Sequence, residues 1–308
     1  MKTRENRDKN KINRRAVQIA VLIVCIVVGL AAAYAMNRHF VKAEEARVKA
    51  IQIEKQKKAE EAIKKAEKAK QEKLKKNLES VRSPADTGEA TVVEQGTAVK
   101  VLDSVTNDSL DKAFEGVLII GDSRTEGLKL FSGIKTAEFF STKSLTVNRI
   151  YEGKQVLVDG VESSIYDVLA KANYSKVVVC VGLNEVGWGN VDRFIAEYSL
   201  LIDKIKEAQP NATIYLQSIL PVSAKKSASQ TPFTNPNILP YNEGIVKLAG
   251  EKNVEFINPS APLIDGTGAL LDAASSDGIH LNAAYCKIWA QSIAEIISPK
   301  DLEKEENN

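Results

Sequence analysis

The chain has 308 residues, 44% of them hydrophobic and 27% charged, which suits one or two globular domains. The net charge of +2 hides segregation, because nearly all the positive excess lies in the first 80 residues, and this argues against a general nucleic-acid-binding role. Cys25, Cys180 and Cys286 have the paired spacing of neither a disulfide framework nor a zinc site, so no metal or cofactor is expected.

Residues 1–15 form a basic tail with seven Lys/Arg against two acidic residues. Residues 16–36 (AVQIAVLIVCIVVGLAAAYAM) carry no charge in 21 positions, enough for a helix to span a hydrocarbon core of about 30 Å. Ala33-Tyr34-Ala35 resembles a signal-peptide cleavage site, but the apolar run exceeds the usual core of such a peptide. An uncleaved transmembrane anchor is expected. Arg14 and Arg15 abut the span and favour an N-terminus inside, which places the rest at the extracellular face of the cell membrane.

Residues 37–82 are rich in Lys, Glu and Ala and lack Pro and Gly. Pairs such as Glu54/Lys58, Glu60/Lys64 and Glu72/Lys76 put Glu four residues before Lys, the favourable order on a helix. The apolar positions are mostly Ala, so a solvated helical stalk is expected rather than a firm coiled coil. Its length would reach about 65 Å. As a spacer it needs no partner; its excess Lys also offers attraction to an anionic wall polymer. Residues 83–112 read as a linker with one short strand.

From 113 to 299 the texture is α/β. VLIIG (117–121), AEFF (137–140), VVVCVG (177–182), TIYLQSIL (213–220) and VEFIN (254–258) read as buried strands. Between them, Phe194, Tyr198, Leu201, Ile202 and Ile205 share one helical face, as do Tyr285, Trp289, Ile293 and Ile296 on the last helix, 283–297. The alternation predicts a parallel five-stranded sheet covered on both faces. Residues 300–308 are a polar tail.

In such a sheet ligands bind beyond the carboxyl ends of the strands. After the first strand comes Gly121-Asp122-Ser123, where Ser123 opens a helix; Asp and Ser are equally good helix caps. After the third comes Gly182-Leu183-Asn184-Glu185. Asn184 can donate to a developing oxyanion, or close an Asx turn. Near the end stands Asp277-Gly278-Ile279-His280. His280 is the sole imidazole of the globular part, and Asp277 is placed to orient its ring, although Asp-Gly also makes an ordinary turn. Together, hydroxyl, amide, carboxylate and imidazole fit one mechanism.

The blocks GDS (121–123), GLNE (182–185) and DGIHL (277–281) resemble those of the SGNH/GDSL hydrolase family. The stretches VLIIGDSRTEGL and VVVCVGLNEVG look like those of membrane-anchored Gram-positive members. The resemblance covers about residues 115–298. It implies a three-layer α/β/α fold of flavodoxin-like order and serine-esterase chemistry. Ser123 would be the nucleophile, His280 the base and Asp277 its orienting carboxylate. The oxyanion hole would draw on Ser123, a residue after the second strand and Asn184, with Gly182 grouped beside them. The second of these is normally Gly; here the best match is Ser144, for which a positive φ would be costly. Glu185, where Asp is commoner, reads as structural.

The expected function is an extracytoplasmic carbohydrate esterase or O-acyltransferase, acting on acyl (foremost acetyl) esters of cell-wall or surface carbohydrate. The alternatives are a lipase or thioesterase on lipid esters, and a non-catalytic wall-binding scaffold. Residues 223–237 form either a rim over the site or a loose loop. Trp188 lines a glycan or acyl subsite or, more simply, packs.

Overall fold

In the computed structural model the described residues are 2–82, 107–158 and 160–299. The expected strand and linker over 83–106 and the polar tail lie outside them. The chain divides into two compact units, Met1–Ala69 and Lys70–Asn308.

The first unit is helical throughout its described residues, within helix α1 (Lys2–Val81). Over 17–36 its side chains are uncharged, nearly all apolar, and open to the surroundings; Leu22 is 62% and Leu30 66% exposed. That pattern suits a hydrocarbon environment. This helix is long and apolar enough to cross a membrane. Further along, Lys58 and Glu54 form the expected i,i+4 pair at 2.7 Å.

The second unit begins earlier than residue 113. The last turns of α1 present Leu74, Leu78 and Val81 at helical spacing, and all three pack on the core. Lys73 pairs with Glu255 at 2.6 Å and Arg82 with Glu243 at 2.9 Å. Residues 107–112, read as linker, instead open helix α2 (Asn107–Ala113), whose Leu110 and Ala113 are buried.

The sheet contains β1 (Val117–Gly121), β2 (Glu138–Ser141), β5 (Lys176–Cys180), β6 (Thr213–Gln217) and β7 (Glu255–Ile257). Their order is β2-β1-β5-β6-β7, and every pairing is parallel. A small antiparallel hairpin of β3 (Val156–Val158) and β4 (Val161–Ser163) stands apart. Strand side chains alternate between two cores. Leu118, Ile120, Val177 and Val179 face one; Val117, Ile119, Val178 and Cys180 face the other.

Helices α4 (Ile165–Lys171), α6 (Val191–Ala208) and α8 (Asn235–Lys252) cover the first face. On α6, Phe194, Tyr198, Leu201, Ile202 and Ile205 form the buried stripe. The second face is covered by α2, α3 (Ser123–Phe131) and α9 (Ala283–Ile297), the last through Trp289, Ile293 and Ala294. The result is a three-layer α/β/α sandwich. The strand order reverses direction between β1 and β5, so the crevice beyond their carboxyl ends is the place for a ligand.

Candidate active site

Both edges of that crevice carry a polar block. Gly121 ends β1; a Cβ there would run into the Thr125 side chain and meet the Cys180 carbonyl oxygen at 2.9 Å, so glycine lets β1 turn closely into α3 beside β5. Asp122 caps α3, accepting from the Arg124 N–H at 2.9 Å, and Ser123 is the first helical residue. Its own N–H lies among those that a helix leaves without an internal acceptor. On the β5 side, Gly182 adopts φ 132° and caps the short helix α5 (Leu183–Val186). A Cβ on Gly182 would meet Ile219 at 2.6 Å, so the Asn184 turn depends on glycine.

The structure joins Ser123, His280 and Asp277 in one chain of hydrogen bonds. Ser123 Oγ lies 2.9 Å from His280 Nε2, and His280 Nδ1 lies 2.7 Å from Asp277 Oδ2. Asp277 Oδ1 accepts from the N–H groups of Ile279 and His280, each at 2.8 Å, and from Ser275 Oγ at 3.0 Å. Burial pushes this carboxyl's pKa up, but the His280 ring, those two N–H groups and Ser275 outweigh it and hold it well below the usual range. An ionised Asp277 can only accept, so the ring proton sits on Nδ1 and Nε2 is left to receive the Ser123 proton.

Ser144 has φ 58°. It therefore adopts the left-handed conformation that the family's glycine would take, at a cost of about 1–2 kcal/mol for an L-residue. Its N–H donates to no other described residue. The segment behind it is held from α5: Asn184 Nδ2 donates to Leu145 O at 3.0 Å, and Val147 N–H donates to Glu185 Oε1 at 2.7 Å. Asn184 keeps a second amide hydrogen for another acceptor. Gly182, grouped with the oxyanion donors in sequence, stands at the N-terminus of α5, where its φ of 132° sets the turn into Asn184.

Two groups near the site escaped the sequence reading. Arg124 is 6% exposed. Its Nη1 donates to Leu220 O at 2.6 Å and its Nη2 to Pro221 O at 3.2 Å. Burial lowers its pKa to about 10, opposed by Asp122 and Asp277. It ties α3, which Ser123 opens, to the segment after β6, and that segment's Ser223 N–H donates to Gly278 O at 2.9 Å. The available signal was Arg124 on the stripe of Thr125 and Leu128, all three buried; a charge there needs buried acceptors. The other group is Ser275, whose bond to Asp277 is two residues long and follows no distinctive pattern.

Residues 223–237 are pinned rather than loose. Ser223 caps the short helix α7 (Ala224–Ser227), and Asn235 clamps Val222 through N–H and carbonyl at 2.8 and 2.9 Å. Trp188 packs against the core and is covered by Arg193, whose guanidinium lies 4.6 Å from the ring centre.

A family model described as GDSL-like Lipase/Acylhydrolase matches residues 119–287, just over half of the chain. The protein belongs to this family and is by class a serine hydrolase. Among solved structures, a protein of Streptococcus pneumonia assigned as a platelet activating factor is similar over 66% of this chain and 99% of its own, at 22% identity and a TM-score of 0.50. A GDSL-like lipase from Bacteroides thetaiotaomicron VPI-5482 follows over 67% and 98%, at 16% identity and 0.46. The acetylxylan esterase Axe2 of Geobacillus stearothermophilus is similar over 59% and 93%, at 17% and 0.41. At these identities the likeness speaks to the fold alone. No curated protein matches the sequence.

Proposed function

We propose that the protein is an extracytoplasmic serine esterase or O-acyltransferase, acting on acyl esters, foremost acetyl, of cell-wall or surface carbohydrate. The observation that carries the chemistry is the Ser123–His280–Asp277 chain of hydrogen bonds. Ser123 Oγ attacks the ester carbonyl as its proton passes to His280 Nε2. Asp277 holds the ring and stabilises the imidazolium. The N–H groups of Ser123 and Ser144 and the Asn184 amide receive the oxyanion. His280 then protonates the departing sugar oxygen, leaving an acyl-Ser123. Water or a second hydroxyl, deprotonated by His280, releases the acyl group; hydrolysis and transfer differ only in that acceptor.

The substrate class is supported by the openness of the site. The side chains of His280 and Asp277 are 48% and 51% exposed, which leaves room for a bulky polymeric alcohol behind a small acyl group. A cavity of about 280 Å³ lies at the ends of β6 and β7, between Ser218, Asn242, Asn258 and Arg82, and includes none of the site residues. The outward placement is supported by the apolar helix and the Arg14-Arg15 flank. The test is p-nitrophenyl acetate turnover by the full chain in detergent, beside Ser123→Ala, followed by acetate release from O-acetylated wall fractions with and without an acceptor glycan. Turnover that Ser123→Ala does not abolish refutes the mechanism. No acetate release or transfer from wall fractions by an enzyme active on the small ester refutes the substrate.

A further inference from the structure

We propose that Glu185 is a positioning residue that holds the Ser144 N–H and the Asn184 amide in one oxyanion hole. This rests on reading Ser144 and Asn184 as oxyanion donors.

Glu185 is fully buried, at 0% exposure, and its Oε1 takes the Val147 N–H at 2.7 Å. The neighbouring Asn184 grips the same segment two residues earlier, through Leu145 O at 3.0 Å. Two adjacent residues of α5 thus fix the strand of chain that leaves Ser144. α5 is itself anchored, because Tyr241 Oη donates to Glu185 O at 2.9 Å and Gly182 packs on Ile219. Ser144 needs such a restraint, since a serine does not keep φ 58° unless its surroundings over-determine it.

The second carboxyl oxygen, Oε2, is buried and makes no hydrogen bond among the described residues. A half-satisfied buried carboxyl is costly, and an apolar side chain of similar size would serve stability better. Its presence beside Asn184 therefore points to placement of the loop rather than to stabilisation of the core. Glu reaches one methylene further than Asp would, and that reach delivers Oε1 to Val147.

The experiment compares wild type, Ser123→Ala, Glu185→Gln, Glu185→Asp and Glu185→Leu, as full chains, on p-nitrophenyl acetate. Glu185→Gln keeps an acceptor at the same reach, and its kcat should stay within about threefold of wild type. Glu185→Asp falls short of Val147, and Glu185→Leu fills the space without an acceptor. Both should lose about 10–100-fold in kcat with KM changed less than about twofold. Equal kcat for the Asp, Leu and Gln variants, or a loss confined to KM, overturns the proposal. Circular dichroism checks folding; if Glu185→Leu does not fold, the Asp-against-Gln comparison gives the answer alone. Wild-type turnover no greater than that of Ser123→Ala overturns the reading of the site itself, and is told apart from failure of this proposal by that control.

Discussion

The turn bearing Asp277 and His280 and the turn bearing Ser144 are both exposed loop segments of one site, yet their own residues hold them to different degrees. Asp277 is fixed by its own surroundings in sequence, with donors at Ser275, Ile279 and His280. The Ser144 turn is fixed from α5, through bonds that span 38 and 39 positions. The Asp277 turn has a remote tie as well, from Ser223 N–H to Gly278 O at 2.9 Å, but its carboxylate needs no distant donor. The other acquires its geometry only when β2 and β5 are already side by side across β1.

The largest effect that would sharpen this contrast is on Asp277. Asp277→Asn keeps an oxygen for the local N–H groups but offers the ring nitrogen a donor where an acceptor is needed. kcat should fall by about 10³–10⁴-fold with the melting temperature nearly unchanged. Asn184→Ala comes next. It removes a proposed oxyanion donor and one of the two ties on the Ser144 segment, and should lower kcat about 10²–10³-fold in steady-state assays. A near-wild-type kcat removes Asn184 from the site. If Asp277→Asn proves the more destabilising of the two in thermal melts, the contrast between a self-held and a remotely held turn is wrong.

The same distinction separates what was legible in the sequence from what was not. The strands β1 and β5 announce themselves because VLIIG and VVVC are short apolar runs ending at glycine or a turn. Ser123, Asn184 and the Asp277–His280 pair follow from position relative to those strands. Ser144 could be matched only by counting from β2, and its left-handed backbone is set by distant bonds. Arg124 was invisible as a strut because its acceptors lie 96 and 97 residues away. The hairpin of β3 and β4 has strands of three residues each, too short for a two-residue period to register. The docking of Leu74, Leu78 and Val81 was hidden in a stalk whose other apolar positions are mostly alanine.

Glu185 offers a test in pH. Desolvation raises its pKa to about 7, opposed first by the Val147 N–H and reinforced by Asp122. A folded-state value raised above the unfolded 4.5 means that its contribution to stability is full below about 4.5 and is lost as pH rises through about 7. The span corresponds to a change on the order of 3 kcal/mol. Thermal melts of wild type between those limits should show stability declining relative to Glu185→Gln, which has no proton to lose. Parallel curves for the two proteins would mean that Glu185 is not charged late in the folded state.

The smallest effect expected is at Ser144, and it bears most directly on why one turn must be held from afar. Left-handed backbone costs an L-residue about 1–2 kcal/mol, whereas glycine adopts it freely but loses more chain entropy on folding, about 0.5–1 kcal/mol. Ser144→Gly should therefore stabilise the protein by about 1 kcal/mol or less, seen as a small rise in melting temperature. The N–H is retained, so kcat should stay within about twofold if the backbone is what serves the oxyanion. A raised melting temperature together with a large loss of kcat would show that the Ser144 hydroxyl itself meets the substrate. In that case the serine is kept at φ 58° for its side chain, and the strain is tolerated for contact rather than imposed by the turn.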